Sequence, residues 1–181
     1  GTGTDTVIST VNWTLGSNVE KLTLDGTGNN NGGGNTMNNT ITGNSGHNIL
    51  EGFAGADTIS AGVGDDIVAG GTGNDNLTGG TGADTFFFAK TGGGSDRITD
   101  FVAGLDHIAF NASDFTTSLA NTAFTSNSTG TAVGSSGQFI YNTTTNTLVW
   151  DSNGTGSGGV TATIIFDTAV NFTKADILFL G

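Results

Sequence analysis

A nine-residue period runs without a gap from Asp25 to Phe87. Seven consecutive blocks fill the interval: DGTGNNNGG, GNTMNNTIT, GNSGHNILE, GFAGADTIS, AGVGDDIVA, GGTGNDNLT and GGTGADTFF. The eighth position reads Gly32, Ile41, Leu50, Ile59, Val68, Leu77, Phe86, and the sixth reads Asn30, Asn39, Asn48, Asp57, Asp66, Asp75, Asp84. Nine residues are too few for a helix and its turn. They suit a short strand with one inward apolar side chain, followed by a Gly-rich turn that exploits positive φ. Two blocks then close one coil of a solenoid, so that residues 18 apart stack. The expected fold is all-β: two thin parallel sheets with the eighth-position column between them and the turns piled along both flanks.

Such a pile sets the sixth-position carboxylates above one another, where they repel. The chain has only 4 Lys and Arg against 16 Asp and Glu, a net charge of -12, so its own cations do not neutralise the stack. Calcium does, as a hard cation that takes six to eight oxygens from carboxylates and backbone carbonyls. The same charge balance excludes nucleic acid and anionic membrane surfaces as partners, because Lys21, Lys90, Arg97 and Lys174 assemble no basic patch. The chain has no Cys, which removes disulfides and thiolate sites, and no apolar stretch of membrane-spanning length.

The blocks from Gly52 onward match the G-G-x-G-x-D-x-U-x nonapeptide, where U is a large apolar residue. They resemble the RTX repeats of bacterial proteins exported by type I secretion. Asp84-Thr-Phe-Phe-Phe and Ser95-Asp-Arg-Ile-Thr-Asp-Phe-Val-Ala-Gly-Leu-Asp-His-Ile are similar to that family's closing segment. The resemblance implies a parallel β-roll with several calcium ions held between a turn and the next one on the same flank. Carried over residue by residue, it pairs Asp57 with Asp75 and Asp66 with Asp84 as ligands, adds Asp96 and Asp100, and leaves Asp106 as a weaker candidate. It also implies backbone oxygens of the turns: Gly52, Ala54 and Gly55; Gly62, Val63 and Gly64; Gly70, Gly71, Thr72 and Gly73; Gly79, Gly80, Thr81 and Gly82. It further implies a secreted, extracellular module that folds on calcium, and a type I secretion apparatus as partner.

The earlier blocks depart from the motif. Asn30, Asn39 and Asn48 stand where the family has Asp, Met37 replaces a turn Gly, and Gly32 sits in the apolar column. An Asn is neutral and stacks by amide hydrogen bonding without an ion, or simply forms a turn. Residues 1–24 read as an N-terminal strand cap in which Trp13, Leu15, Val19, Leu22 and Leu24 cover the first coil, with a sugar-stacking role as the alternative for Trp13. Residues 25–110 read as repeats and closing segment, and 111–181 as a C-terminal β cap. Within that cap, 111–137 reads as loop with one short helix anchored by Phe115, Leu119 and Phe124. Residues 138–151 read as a hairpin about Asn142–Asn146, and Val160–Phe166 as a strand. Asp151 and Asn153 lie in a turn that either holds calcium or is a plain Asx/Gly turn. Asp176-Ile-Leu-Phe-Leu-Gly looks like the family's secretion terminus, or is a last strand of the cap. With no initiator Met and no signal-peptide pattern, the chain reads as a piece of a longer protein.

No catalytic constellation stands out. His47 precedes Glu51 as H-x-x-x-E, not H-E-x-x-H, and there is neither a G-x-S-x-G elbow nor a phosphate loop. His47 reads as exposed in a turn and His107 as structural. Two functions are expected from the sequence: a monomeric calcium-folded module that exports and stabilises an upstream protein, or a polysaccharide- or surface-binding module of a secreted polysaccharide-active enzyme or adhesin.

Overall fold

The computed structural model describes residues 3–89, 93–114, 123–134, 137–152 and 160–180. Strands alternate between two sheets along the chain. The first sheet receives β1 (Thr6–Ser9), β3 (Lys21–Leu24), β5 (Thr40–Thr42), β7 (Thr58–Val63), β9 (Asn76–Thr81) and β11 (Ser95–Ile98). The second receives β2 (Trp13–Thr14), β4 (Gly32–Asn35), β6 (Ile49–Phe53), β8 (Ile67–Ala69), β10 (Thr85–Phe88) and β12 (His107–Asn111). All neighbouring pairs in these runs are parallel. This is the expected two-sheet parallel solenoid.

The register confirms the eighth-position column. Leu22, Ile41, Ile59, Leu77 and Ile98 align across the first sheet, and Leu50, Val68, Phe86 and Ile108 across the second. Each is at most 1% exposed. The gap at Gly32 is filled by its neighbours: a Cβ there would lie 3.0 Å from Leu22 Cδ2 and 3.0 Å from Leu50 Cδ2. Burying such side chains is the dominant favourable contribution to the fold, about 1.5–3 kcal/mol for each residue.

Both ends differ in detail from the sequence expectation. The N-terminal strands pair in parallel with the coils that follow, so the solenoid pattern already runs through Thr6. Leu15, Leu22 and Leu24 are buried there, whereas Trp13 remains 45% exposed, because β2 is short and outermost in its sheet. At the other end β16 (Val160–Phe166) joins β11 in parallel. The antiparallel hairpin of β14 (Gln138–Asn142) and β15 (Thr147–Asp151) follows as expected. β13 (Ala123–Asn127), in the stretch read as loop, adds a parallel edge strand, and among the described residues there a 3-10 turn spans Ala112–Asp114. Phe115 and Leu119 lie outside the described residues, as does Asn153. β17 (Ile177–Leu180) closes the second sheet against β12. Aromatic packing seals this end: ring centroids lie 5.0 Å apart for Phe101–Phe166 and 4.7 Å for Phe139–Trp150.

Candidate metal centre

The turns carry two opposed ladders of hydrogen bonds. In the first, a sixth-position carboxylate accepts the backbone N–H of the acid or amide one coil earlier. Asn39 N–H donates to Asp57 Oδ1 (2.7 Å), Asp57 N–H to Asp75 Oδ1 (2.8 Å) and Asp75 N–H to Asp96 Oδ1 (3.0 Å). On the other flank Asn48 N–H donates to Asp66 Oδ1 (2.7 Å), Asp66 N–H to Asp84 Oδ1 (2.9 Å) and Asp84 N–H to Asp106 Oδ1 (2.9 Å). Asp57, Asp66, Asp75, Asp84, Asp96 and Asp106 are all at most 3% exposed.

The second ladder runs the other way. Fifth-position side chains accept the N–H one coil later: His47 N–H on Asn29 Oδ1, Asp65 N–H on His47 Nδ1 and Ala83 N–H on Asp65 Oδ1. Ala56 N–H on Asn38 and Ser95 N–H on Asn74 repeat it on the opposite flank. The sequence reading missed these contacts. Their signal was the recurrence of Asn, His and Asp, all side-chain acceptors, just before the acid column. His47 is exposed as expected, but it is also a rung of this ladder.

In three of these acids the first ladder leaves half of the carboxylate unused. Oδ2 of Asp57, Asp66 and Asp75 is buried with no hydrogen-bond partner. Burial without a partner is costly for a charged oxygen. These oxygens also have company. A Cβ placed on Gly52 would sit 2.2 Å from Asp57 Oδ2 and 2.4 Å from the Gly70 carbonyl oxygen, so a carboxylate and a carbonyl of the next turn converge on one spot. Gly70 and Gly79 stand in the same relation to Asp75 Oδ2 (2.2 Å) and Asp84 Oδ2 (2.3 Å). The turns stack tightly because Gly supplies positive φ and lacks a side chain: Gly73 has φ +138°, and a Cβ on it would lie 1.8 Å from the Gly55 carbonyl oxygen.

Electrostatics points the same way. Burial pushes the Asp57 carboxyl up to about 6 against the lowering effect of the Asn39 N–H, with Asp75 adding repulsion. Burial takes Asp84 up to about 6 and Asp96 to about 7, and raises Asp66, Asp75 and Asp106 as well. Without a cation these groups resist ionisation. Among the described residues no three acidic or histidine side chains cluster as a metal site. An ion in the turns would therefore draw on backbone carbonyls beside one or two carboxylates. That donor set, all oxygen and only partly charged, suits calcium.

Two candidates from the closing segment behave differently. Asp106 stands in the ladder, with Oδ2 accepting the Val102 N–H at 2.8 Å. Asp100 lies off it: its two oxygens accept the Gly79 N–H (3.0 Å) and the Gly80 N–H (2.7 Å). In the Asn coils the amide NH2 takes the strut position and donates to carbonyls one coil earlier, while Oδ1 stands where an Asp would place Oδ2. Asn39 Nδ2 donates to the Val19 and Glu20 carbonyls (3.1 and 3.4 Å), and its Oδ1 accepts the Asn35 N–H. Asn48 Nδ2 donates to the Asn30 carbonyl at 2.7 Å.

Comparison with known proteins agrees with this geometry. The family model described as RTX calcium-binding nonapeptide repeat (4 copies) matches residues 33–68 and 60–98. The AlgE6R3 subunit of the Azotobacter vinelandii mannuronan C5-epimerase is similar in structure, with TM-score 0.55 and 25% identity over 80% of this chain and 79% of that one. The AlgE6R2 subunit of the same epimerase is similar with TM-score 0.52 and 25% identity, over 79% of this chain and 88% of that one. None of the curated proteins compared matches the chain. The ladder of buried acids, the glycine turns that let it stack and the matched repeats lead to one conclusion: the chain carries an RTX calcium-binding nonapeptide-repeat region over residues 33–98, built as a parallel β-roll.

Proposed function

We propose that the chain is an extracellular bacterial module whose repeats fold as calcium enters the Asp turns, and that it serves to export and stabilise a protein to which it is joined. The observation that carries this is the unsatisfied, buried Oδ2 of Asp57, Asp66 and Asp75, with the Gly70 carbonyl converging on the spot that Asp57 Oδ2 faces. In this reading Asp57, Asp66, Asp75, Asp84 and Asp96, with carbonyl oxygens of the Gly-rich turns from Gly52 to Gly82, hold several calcium ions. When bound, calcium supplies the positive charge that lets stacked carboxylates stay ionised in the interior. The chain's own part is to fix Oδ1 of each carboxylate on a backbone N–H, so that Oδ2 stays directed at the turn. The coils of Asn39 and Asn48 hold no ion, since the amide is uncharged and its Oδ1, which takes the place of the Asp Oδ2, is already held by the Asn35 or Asn44 N–H. Residues 1–24 and 111–181 close the two ends of the repeats and closing segment over 25–110.

A site with Kd ~0.1 mM at ~1 mM calcium adds about 1.4 kcal/mol to the folded state, and almost nothing at cytoplasmic calcium. The chain then stays unfolded before export through a type I apparatus and folds outside, as a monomer. Circular dichroism and hydrodynamic radius in chelator and in calcium test this. A β signal and a compact radius that appear only with calcium are expected, and identical values in both would overturn the reading.

A second reading, of a polysaccharide-holding module in a polysaccharide-active enzyme, draws on the likeness to subunits of a mannuronan epimerase. A polyanionic chain is a poor occupant here. Arg97, one of only 4 cationic side chains, is already paired with Asp167.

A further inference from the structure

Phe53 occupies the second position of its turn with φ +72°, where the following turns carry Gly62, Gly71 and Gly80 at +113°, +100° and +102°. A bulky L-residue avoids this region of backbone space. The side chain gains little burial in return, since it is 40% exposed. Its ring lies instead over the glycine strand β4. A Cβ on Gly33 would sit 3.1 Å from Phe53 Cε2 and 2.9 Å from Thr14 Oγ1. Gly33 is thus the floor of an open groove of about 280 Å³ on the outer side of β2, β4 and β6, with Phe53, Trp13 and Ile49 in its walls.

The polar groups of the groove are oriented in advance. Asn12 Oδ1 accepts the Asn31 N–H at 2.8 Å, and Asn31 Oδ1 accepts the Ile49 N–H at 3.2 Å. Holding both amide oxygens on the backbone leaves both NH2 groups as oriented donors. Glu51, paired in register with Gly33, presents an exposed carboxylate as acceptor. Two exposed aromatic rings, two fixed donors and one acceptor around a side-chain-free floor match the C–H face and hydroxyl rim of a sugar ring. The Glu51 carboxylate and the net charge of -12 disfavour a polyanion.

We propose that this groove is a binding site for a neutral saccharide chain, with Phe53 and Trp13 as stacking surfaces and Asn12, Asn31 and Glu51 as hydroxyl partners. The proposal rests on the polysaccharide reading and narrows its ligand class. It is independent of the calcium reading, because the groove lies beside the Asn coils.

The experiment titrates the full chain in calcium with cellohexaose, mannohexaose, chitohexaose and, separately, hexamannuronate. Tryptophan emission reports on Trp13, as Trp150 is only 4% exposed. Amide NMR shifts locate the contact. At least one neutral hexamer is expected to blue-shift the emission and to move the amides of Asn12–Thr14, Gly32–Gly33 and Ile49–Phe53. Phe53→Gly is expected to weaken binding by roughly tenfold, one aromatic contact, while the melting temperature stays the same or rises. A Phe53→Gly protein that melts lower and binds undiminished makes the ring a packing element and overturns the site. Binding of hexamannuronate alone overturns it while leaving the polysaccharide reading standing. Binding of no saccharide at roughly millimolar concentration overturns both.

Discussion

The backbone N–H of Asp57 donates to Oδ1 of Asp75 at 2.8 Å across 18 residues, while Oδ2 of the same Asp75 is buried with no hydrogen bond. One oxygen is a strut between coils and the other is an open ligand. The two jobs separate by substitution. Asp75→Asn keeps an acceptor for the Asp57 N–H and loses the charge, so it is expected to raise the calcium midpoint of folding. Asp75→Ala loses both, so it raises the midpoint further, and excess calcium rescues it only in part. Asn39→Ala removes amide bonds to the Asn35 N–H and the Val19 carbonyl, at about 1–3 kcal/mol, irrespective of calcium. Calcium titrations of the three variants by circular dichroism check this. Asn39→Ala moves the midpoint only through that constant loss and keeps the steepness of the transition, so equal steepness in all three variants would mean the acid column is not the calcium ladder.

The same burial makes the calcium-free fold sensitive to pH in an unusual direction. The folded-state carboxyls rise from the ordinary 3.8 to about 6 for Asp57 and Asp84 and about 7 for Asp96. Below 3.8 they are neutral in both states and carry no ionisation penalty. As pH climbs from there towards 7, the unfolded chain releases its protons first, so the folded state loses stability across that window. In chelator the β signal is expected to be strongest at about pH 4 and below, and to fade towards 7. In calcium, which binds the ionised form, the trend flattens or reverses. Thermal melts at stepped pH in the two buffers decide it. A chelated protein that gains stability with rising pH would show that the carboxyls are not buried as charges.

The turns give a third test. Gly73 and Gly26 both have positive φ, +138° and +84°. A Cβ on Gly73 would meet the Gly55 carbonyl oxygen at 1.8 Å, whereas at Gly26 nothing lies within 4 Å. Gly26→Ala therefore bears only the backbone strain, about 1–3 kcal/mol. Gly73→Ala must in addition push two coils apart. Denaturant unfolding in saturating calcium should rank Gly73→Ala well below Gly26→Ala, and equal losses would count against tight stacking of the turns.

Most of this was legible because the repeat is strict where the structure is regular. Two columns in register over seven blocks, Ile59–Leu77 and Asp57–Asp75 among them, are what a two-block coil requires. Legibility failed where the period breaks. The ladder passes from Asp75 to Asp96 over 21 residues and from Asp84 to Asp106 over 22, so counting by nines does not reach these rungs; the closing-segment resemblance named both acids as candidates but not their stacking partners. The motif offered Asp100 as a ligand candidate, and nothing in the spacing showed that its oxygens also accept the N–H groups of Gly79 and Gly80. β13 was hidden because Ala123–Asn127 shows little apolar alternation and is held by its pairing with β14. The strain at Phe53 leaves no trace in the sequence beyond a Phe in place of a turn Gly.

Core and ladder substitutions should differ in kind, and Leu77→Ala against Asp75→Ala exposes it. Leu77 is 0% exposed between Ile59 and Ile98, so truncation leaves a cavity and costs about 2–5 kcal/mol. That loss is the same at every calcium concentration. The midpoint moves up, but the number of ions taken up on folding, and so the steepness of the transition, is unchanged. Asp75→Ala instead damages ion binding itself, so the transition should become shallower as well as later. Isothermal calorimetry of the folded variants supplies the independent count: the wild-type stoichiometry for Leu77→Ala, and fewer ions or weaker binding for Asp75→Ala. If both variants keep the steepness and stoichiometry of the wild type, Asp75 contributes to the fold as a hydrogen-bonding strut and not as a ligand.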